Sequence, residues 1–303
     1  MRARVLEKYG LGPGDKLGEG GESEVYALDA HRVLRLHRQE AADYARRTGD
    51  LYGQLDRSAV PYALPEVLEV HGDGEVSWSI DRRLPGRPFD EMLGELAGPA
   101  RTGALNAYVD GAAAFGALAA PPGWPGGCGE LLTDERLRSA RWGDLLADRL
   151  ELQLERARPL LESLVPDLDA VVEHIVATAR GEGTGPVTLV HGDWFPGNVL
   201  LDHDLQVSAA IDLGWLTVVG DVAHDVLSAA VFCEVRPTWT AADGEVLLRA
   251  VARHIGADAE ARVARTRLFE QARFAFVDED DDEYVCRWCR DGLRSAAARL
   301  ERP

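Results

Sequence analysis

Three residues with oxygen-donor side chains stand close together in this chain: Asp193 and Asn198 in HGDWFPGNVLLD, residues 191–202, and Asp212 in AAIDLGWLTVVGD, residues 209–221. Asp and Asn are hard oxygen ligands, suited to Mg²⁺ and to the phosphates it carries. Any one of them alone is an ordinary turn former. The spacing of all three is what points to chemistry, because each falls where a short apolar run breaks. Val187, Leu189 and Val190 read as a strand ending at His191, and Val199–Leu201 with Val207–Ile211 read as a hairpin ending at Asp212. Strand ends of this kind bring polar side chains together on a ligand without burying them.

The elements that must position these residues follow from the rest of the chain. Its 303 residues, 46% hydrophobic, suffice for a substantial core and suggest two lobes. No apolar run approaches the roughly 20 residues of a membrane span, and Met1-Arg2-Ala3-Arg4 leads into charged sequence, so a cytoplasmic location without a membrane partner is expected. A net charge of −18 and a pI near 4.9 disfavour nucleic acid and anionic membrane surfaces and favour a cationic ligand. Cys128, Cys233, Cys286 and Cys289 are too scattered for a disulfide framework. Cys286-Arg-Trp-Cys289 lacks a second ligand pair for zinc and reads as two thiols on one side of a helix.

In chain order, a lead-in helix precedes LGEGGESEVYAL, residues 17–28, a glycine-tipped hairpin in which Gly18, Gly20 and Gly21 form an ordinary turn or leave the backbone free to approach a phosphate. HRVLRLHR is a strand with Val33 and Arg35 on one face and Leu34 and Leu36 on the other. Residues 39–55 read as a helix, and 67–70 with 76–80 as a second hairpin. The connector LPGRPF, residues 84–89, marks the lobe boundary, giving 1–84, a connector at 85–90 and a helical part at 91–303. In that part helices are expected over 104–119, 134–165 (with Pro159 as a kink or division), 171–176 (capped by Asp167 or Asp169), 221–232, 241–255, 259–276 and 283–300.

A small β-rich lobe with a glycine hairpin and a basic strand, a connector, and a helical lobe carrying HGDxxxxN and IDxG together resemble the aminoglycoside phosphotransferase family within the protein-kinase-like fold. The strongest matches are His191-Gly192-Asp193 with Asn198, Asp212 before Gly214, and Gly220-Asp221 with Asp225. The resemblance implies an α+β bilobal fold, with a small antiparallel N-lobe containing one helix and a larger, mainly helical C-lobe. It makes Asp193 the catalytic aspartate that accepts or orients the proton of an attacking hydroxyl, Asn198 and Asp212 the Mg²⁺ ligands, and His191 and Asp225 supports of the loop. ATP or GTP would be the co-substrate.

Departures from the pattern lie in the N-terminal half. The lysine expected on the third strand is absent, since Lys8 and Lys16 both precede the hairpin, and Arg35 is the available substitute. Its acidic partner on the next helix would be Asp50, with Glu40 second. Ser23 replaces the third glycine of GxGxxG. The acceptor implied is a small hydroxylated, cationic molecule such as an aminoglycoside, held by the run Asp278, Glu279, Asp280, Asp281, Asp282 and Glu283. Amino alcohols, sugars and other antibiotics are alternative acceptors. A pseudokinase-like binder is the rival of another class, supported by the missing lysine and opposed by the intact Asp193, Asn198 and Asp212.

Overall fold

A computed structural model describes residues 2–19, 23–37, 42–72, 76–133, 136–183 and 185–300, the side chains at positions 42, 43, 279 and 281 excepted. The β-branched and aromatic runs of the first part pair into one sheet. Helix α1 (Arg2–Tyr9) precedes β1 (Lys16–Glu19), β2 (Ser23–Ala27) and β3 (Arg32–His37); α2 (Ala42–Gln54) then leads to β4 (Val67–Gly72) and β5 (Ser77–Arg82). The order is β1-β2-β3-β5-β4, with every neighbour antiparallel. Strand β5, between β3 and β4, has both of its faces covered, whereas β4 is an edge strand that leaves Leu68 and Val70 exposed.

The two-residue alternation of β3 and β5 divides this sheet into an apolar and a polar face. Leu34, Leu36, Trp78 and Ile80 pack with Tyr26 and with Val5 of α1. Arg35, Ser79 and Asp81 project to the opposite face. That polar face borders α2, whose Tyr44, Thr48 and Tyr52 line a small cavity together with Arg35, His37, Ser79, Asp81 and Asp212.

The connector forms a two-residue strand β6 (Arg87–Pro88) before α3 (Phe89–Leu93) and α4 (Gly98–Phe115). Next come β7 (Cys128–Glu130), β8 (Arg138–Ser139), α5 (Trp142–Leu161), α6 (Leu168–Arg180), β9 (Val187–Val190), β10 (Val199–Leu201), β11 (Val207–Ala210) and β12 (Val218–Asp221). Helices α7 (Ala223–Phe232), α8 (Ala241–Ile255), α9 (Ala259–Arg273) and α10 (Glu279–Leu300) complete the chain. Strand β6 pairs with β10, so the connector is hydrogen-bonded to the strand that follows Asn198. Fully buried Trp194, Tyr108, Phe89 and Phe115 sit in the largest core cluster beneath that strand.

Several helix boundaries differ from the sequence reading. The run expected from 134 begins at Trp142, because residues 128–130 and 138–139 pair as β7 and β8 instead. Pro159 does not divide α5: it lies in the last turn, and the helix continues to Leu161. Asp167 occupies the N-cap position of α6 in a left-handed conformation, φ 46°, without a side-chain capping bond, and Asp169 pairs with Arg158 at 2.9 Å. Strand β12 was not anticipated; it lies between β7 and β9 and delays the helix start to Ala223. Helix α9 stops at Arg273, three residues short of Phe276.

Candidate active site

The HGD segment is shaped by what the backbone must do immediately after β9. Gly192 has φ +77°, and a Cβ there would run into the Leu216 carbonyl oxygen, so glycine is required. The amides of His191 and Gly192 then donate to the two oxygens of Asp225, at 2.7 and 2.9 Å, which ties the turn to α7. Burial pushes the Asp225 carboxyl up, while the His191 ring and these two amide bonds oppose that. The His191 ring is fully buried: its Nε2 bonds the Ile211 carbonyl at 2.9 Å, and its Nδ1 accepts from the Asp193 amide at 3.3 Å. Burial lowers its pKa below the ordinary histidine value. A neutral ring with both nitrogens engaged links the loop to the Ile211 carbonyl.

Asp193 lies half-buried beyond this link. Asn198 Nδ2 donates to its Oδ2 at 2.9 Å and to its backbone carbonyl at 3.0 Å. Burial, with Asp212 nearby, raises the Asp193 carboxyl to about 6, against the pull of Arg273, the Asn198 bond and Arg236. A carboxylate in that range is deprotonated at neutral pH yet close enough to accept a proton in a transition state. Asp212 stands at φ +65°, an uncommon conformation for a residue other than glycine and one typical of functional turns. Two bonds fix its loop: the Ile211 amide to the Asn198 carbonyl at 2.8 Å, and the Tyr52 hydroxyl to the Leu213 carbonyl at 3.1 Å.

Arg35 reaches this site from the sheet. Its Nη1 donates to Asp212 Oδ1 at 3.1 Å and to Ser23 Oγ at 3.2 Å, and its Nε donates to Asp81 Oδ2 at 3.2 Å. Burial works against its charge, but Asp212, Tyr52 and Asp81 outweigh that and raise its pKa. His37, beside it, is held down to about 4 by burial and by Arg35, and is therefore neutral at physiological pH.

The structure thus brings Asp193, Asn198, Asp212, Arg35 and Ser23 together, with His191 and Asp225 behind them. Asp50 is not brought to Arg35: it is exposed on α2, and the acids that pair with Arg35 among the described residues are Asp81 and Asp212. Glu40, Gly20 and Gly21 lie outside the described residues, and Gly18 is exposed in β1. Asp81 escaped the sequence reading because the pairing of β3 with β5 across the intervening helix creates the contact. In that register Val33 faces Asp81 and Arg35 faces Ser79, which leaves Arg35 diagonal to Asp81 on one face. The available signal was an acid among the buried positions of SWSID.

Three residues of the acidic run have partners at their own helix start. Asp278 accepts from the Asp280 amide at 3.0 Å, Asp282 accepts from the Tyr284 and Val285 amides at 2.9 and 3.1 Å, and Glu283 pairs with Arg287 at 3.2 Å. Asp282 is extended, φ −156° and ψ 103°, in the manner of an N-cap. The side chains of Glu279 and Asp281 lie outside the described residues, and Asp280 is exposed. Cys286 and Cys289 are buried free thiols on α10, and no three His, Cys, Asp or Glu side chains among the described residues group into a metal site. No helix of the described residues is long and apolar enough to cross a membrane.

A family model for the phosphotransferase enzyme family matches residues 15–269, a span that includes Arg35, Asp81, Asp193, Asn198, Asp212 and Asp225. The chain belongs to that family. Among solved structures, the phosphotransferase is similar to a gentamicin complex of aminoglycoside phosphotransferase APH(2'')-IIa, with TM-score 0.66 and 16% identity over 98% of this chain and 96% of that one. It is similar to ADP-bound aminoglycoside phosphotransferase APH(2'')-Ib, with TM-score 0.64 and 15% identity over 98% and 97%. It is also similar to macrolide 2'-phosphotransferase MphH from Brachybacterium faecium, with TM-score 0.57 and 21% identity over 99% and 97%. These likenesses show the kinase-like fold. No protein of curated function matches the sequence. Family and fold together make the phosphotransferase a small-molecule kinase, with an antiparallel sheet in its N-terminal region and helices in its C-terminal region.

Proposed function

We propose that this phosphotransferase moves the γ-phosphoryl group of ATP or GTP, with Mg²⁺, to a hydroxyl of a small molecule. The observation that carries the reading is the convergence where sheet and helices meet: Asn198 donates to Asp193, its carbonyl accepts from the Ile211 amide beside Asp212, and Asp212 accepts from Arg35. Phosphoryl transfer asks mainly for positioning and charge neutralisation. Asp193 accepts or orients the acceptor's hydroxyl proton, and Asn198 fixes that carboxylate through its amide nitrogen. This leaves the Asn198 amide oxygen and the Asp212 carboxylate as hard donors, a pair that fits Mg²⁺, which takes one or two protein oxygens along with phosphates. When bound, the ion would supply neutralisation of the transferring phosphoryl charge.

Arg35 replaces lysine as the phosphate clamp. Its planar fork holds Asp81 on one side, and the arm now on Asp212 and Ser23 is the one positioned to engage phosphate. In this reading residues 1–84 bind nucleotide phosphates, 85–90 connect, and 91–303 carry the catalytic loop and the acceptor, in a cytoplasmic enzyme. The charge of −18 favours a cationic acceptor. Neighbouring structures hold ADP, GDP, gentamicin or kanamycin, which supports a nucleotide and a small-molecule acceptor here. The test is nucleotide consumption across a panel of aminoglycosides, other antibiotics and amino alcohols, with and without Mg²⁺. Consumption that depends on both metal and acceptor is expected, and a protein that binds nucleotide but never transfers would refute the reading in favour of a binding module.

A further inference from the structure

An unbroken line of aromatic rings runs from the catalytic loop to the segment after Asp212. Phe195, two residues past Asp193, meets Phe232 edge-on at 5.8 Å, and Phe232 meets Phe274 at 5.8 Å. Phe274 meets Phe276 at 6.3 Å, and Phe276 meets Trp215, three residues past Asp212, at 6.4 Å. Separate stretches contribute these rings: the loop before β10, the end of α7, the segment released where α9 stops, and the turn after Asp212. Two arginines lie on them. The Arg236 guanidinium is 3.9 Å from the Phe195 ring centre, and that of Arg273 is 4.8 Å from Phe274 and 5.9 Å from Phe232. The two ends of the line, Phe195 and Trp215, follow Asp193 and Asp212 by two and three residues, which sets the wall beside the reacting groups.

This wall is not simply core. Phe232 is buried, but Phe195, Phe274 and Trp215 are only partly so, and Phe276 is 36% exposed. Among the described residues the large aromatic side chains that stand exposed are Phe276 and Tyr284, and they bracket residues 278–283. Open ring surface beside a catalytic acid is surface that a ligand can cover. Of the nearby carboxylates, Asp282 and Asp278 accept backbone amides of their own segment and Glu283 pairs with Arg287, while Asp280 is exposed.

Resting on the phosphotransferase reading, we infer that the acceptor is amphipathic: besides its reacting hydroxyl it presents a broad apolar ring face, which lies on Trp215, Phe276 and Phe274. A uniformly hydrophilic polycation is the wrong class for this wall. The test uses the full chain with Mg²⁺ and nucleotide, and measures Kd by calorimetry and KM by product formation. One panel is ring-faced, hydroxylated macrolides, and the other is hydrophilic, gentamicin and kanamycin. Ring-faced compounds should bind more tightly, Phe276→Ala and Trp215→Ala should each raise their KM about tenfold with kcat changed less, and Phe276→Tyr, which keeps a ring, should restore KM. Rescue by tyrosine separates stacking from general damage to the fold. Tighter binding of the hydrophilic panel, a KM indifferent to Phe276→Ala, or no binding of any ring-faced compound would each overturn the inference. Asp193→Asn is run in parallel: transfer lost in that variant keeps the phosphotransferase reading whatever the panels show, and transfer retained removes that reading itself.

Discussion

The two halves of the cleft are built by opposite strategies. On the helical side Asp193, Asn198 and Asp212 lie close in sequence, and their loop is held by backbone bonds to Asp225, a buried neutral His191 and the Asn198 amide. On the sheet side the proposed phosphate clamp is one guanidinium, Arg35, shared among Asp81, Asp212 and Ser23, residues spread over two strands and a distant loop. A short loop can be made rigid by its own backbone, so chemistry that tolerates little misplacement belongs there. A clamp assembled from separate strands can exchange one partner for another when phosphate arrives. The halves should therefore respond differently to substitution.

The largest effect is expected from Asp193→Asn, which should lower kcat by about 10²- to 10⁴-fold, the range for a lost general base, with nucleotide affinity little changed in a binding assay. An equal loss of affinity would mean that the two halves are not separable. Arg35→Ala should act in the complementary way, weakening nucleotide binding by about 10- to 100-fold, the worth of one or two charge-assisted hydrogen bonds. Arg35→Lys should recover only part of this, because an ammonium cannot hold Asp81 and a phosphate in one plane. Full recovery would show that the planar fork is immaterial.

Asp225→Ala would leave the buried His191 and Gly192 amides without partners, at about 1–3 kcal/mol each. A lower unfolding midpoint in denaturant, accompanied by reduced kcat, is expected; stability unchanged would remove Asp225 from its bracing role. The smallest effect concerns pH. Asp193 titrates at about 6 in the fold against a reference value of 3.8. Its protonated form therefore stabilises the fold below about 3.8, and that stability is lost as pH rises through about 6. In metal-free protein at pH 7.5, Asp193→Asn should raise stability by about 1–3 kcal/mol, with the gain disappearing below pH 4. The same carboxyl predicts that kcat/KM falls on the acid side near pH 6.

Legibility in the sequence followed the same division. HGDWFPGNVLLD and AAIDLGWLTVVGD displayed their residues openly because the strand ends and turns that hold them are local. The hairpins 16–27 and 67–82 were legible for the same reason, through turn residues and alternation. The acid beside Arg35 was not: Asp50 occupies the expected helix, but Asp81 is delivered by the β3–β5 pairing, and pairing between strands separated by a helix leaves no local mark. Strands β7 and β12 were hidden in the same way, each short and stabilised by its neighbours.

The sequence by itself determined the phosphotransferase family, the loop that carries the candidate catalytic aspartate, and the two candidate metal-binding oxygens, since these depend on residue type and short spacing. Only the tertiary structure decided which acid pairs with Arg35, which partners Asp278, Asp282 and Glu283 take, and that rings from Phe195 to Trp215 line one wall. Those outcomes depend on strand register, on where helices α9 and α10 stop and restart, and on the packing of segments far apart in the chain. No window of sequence contains that information.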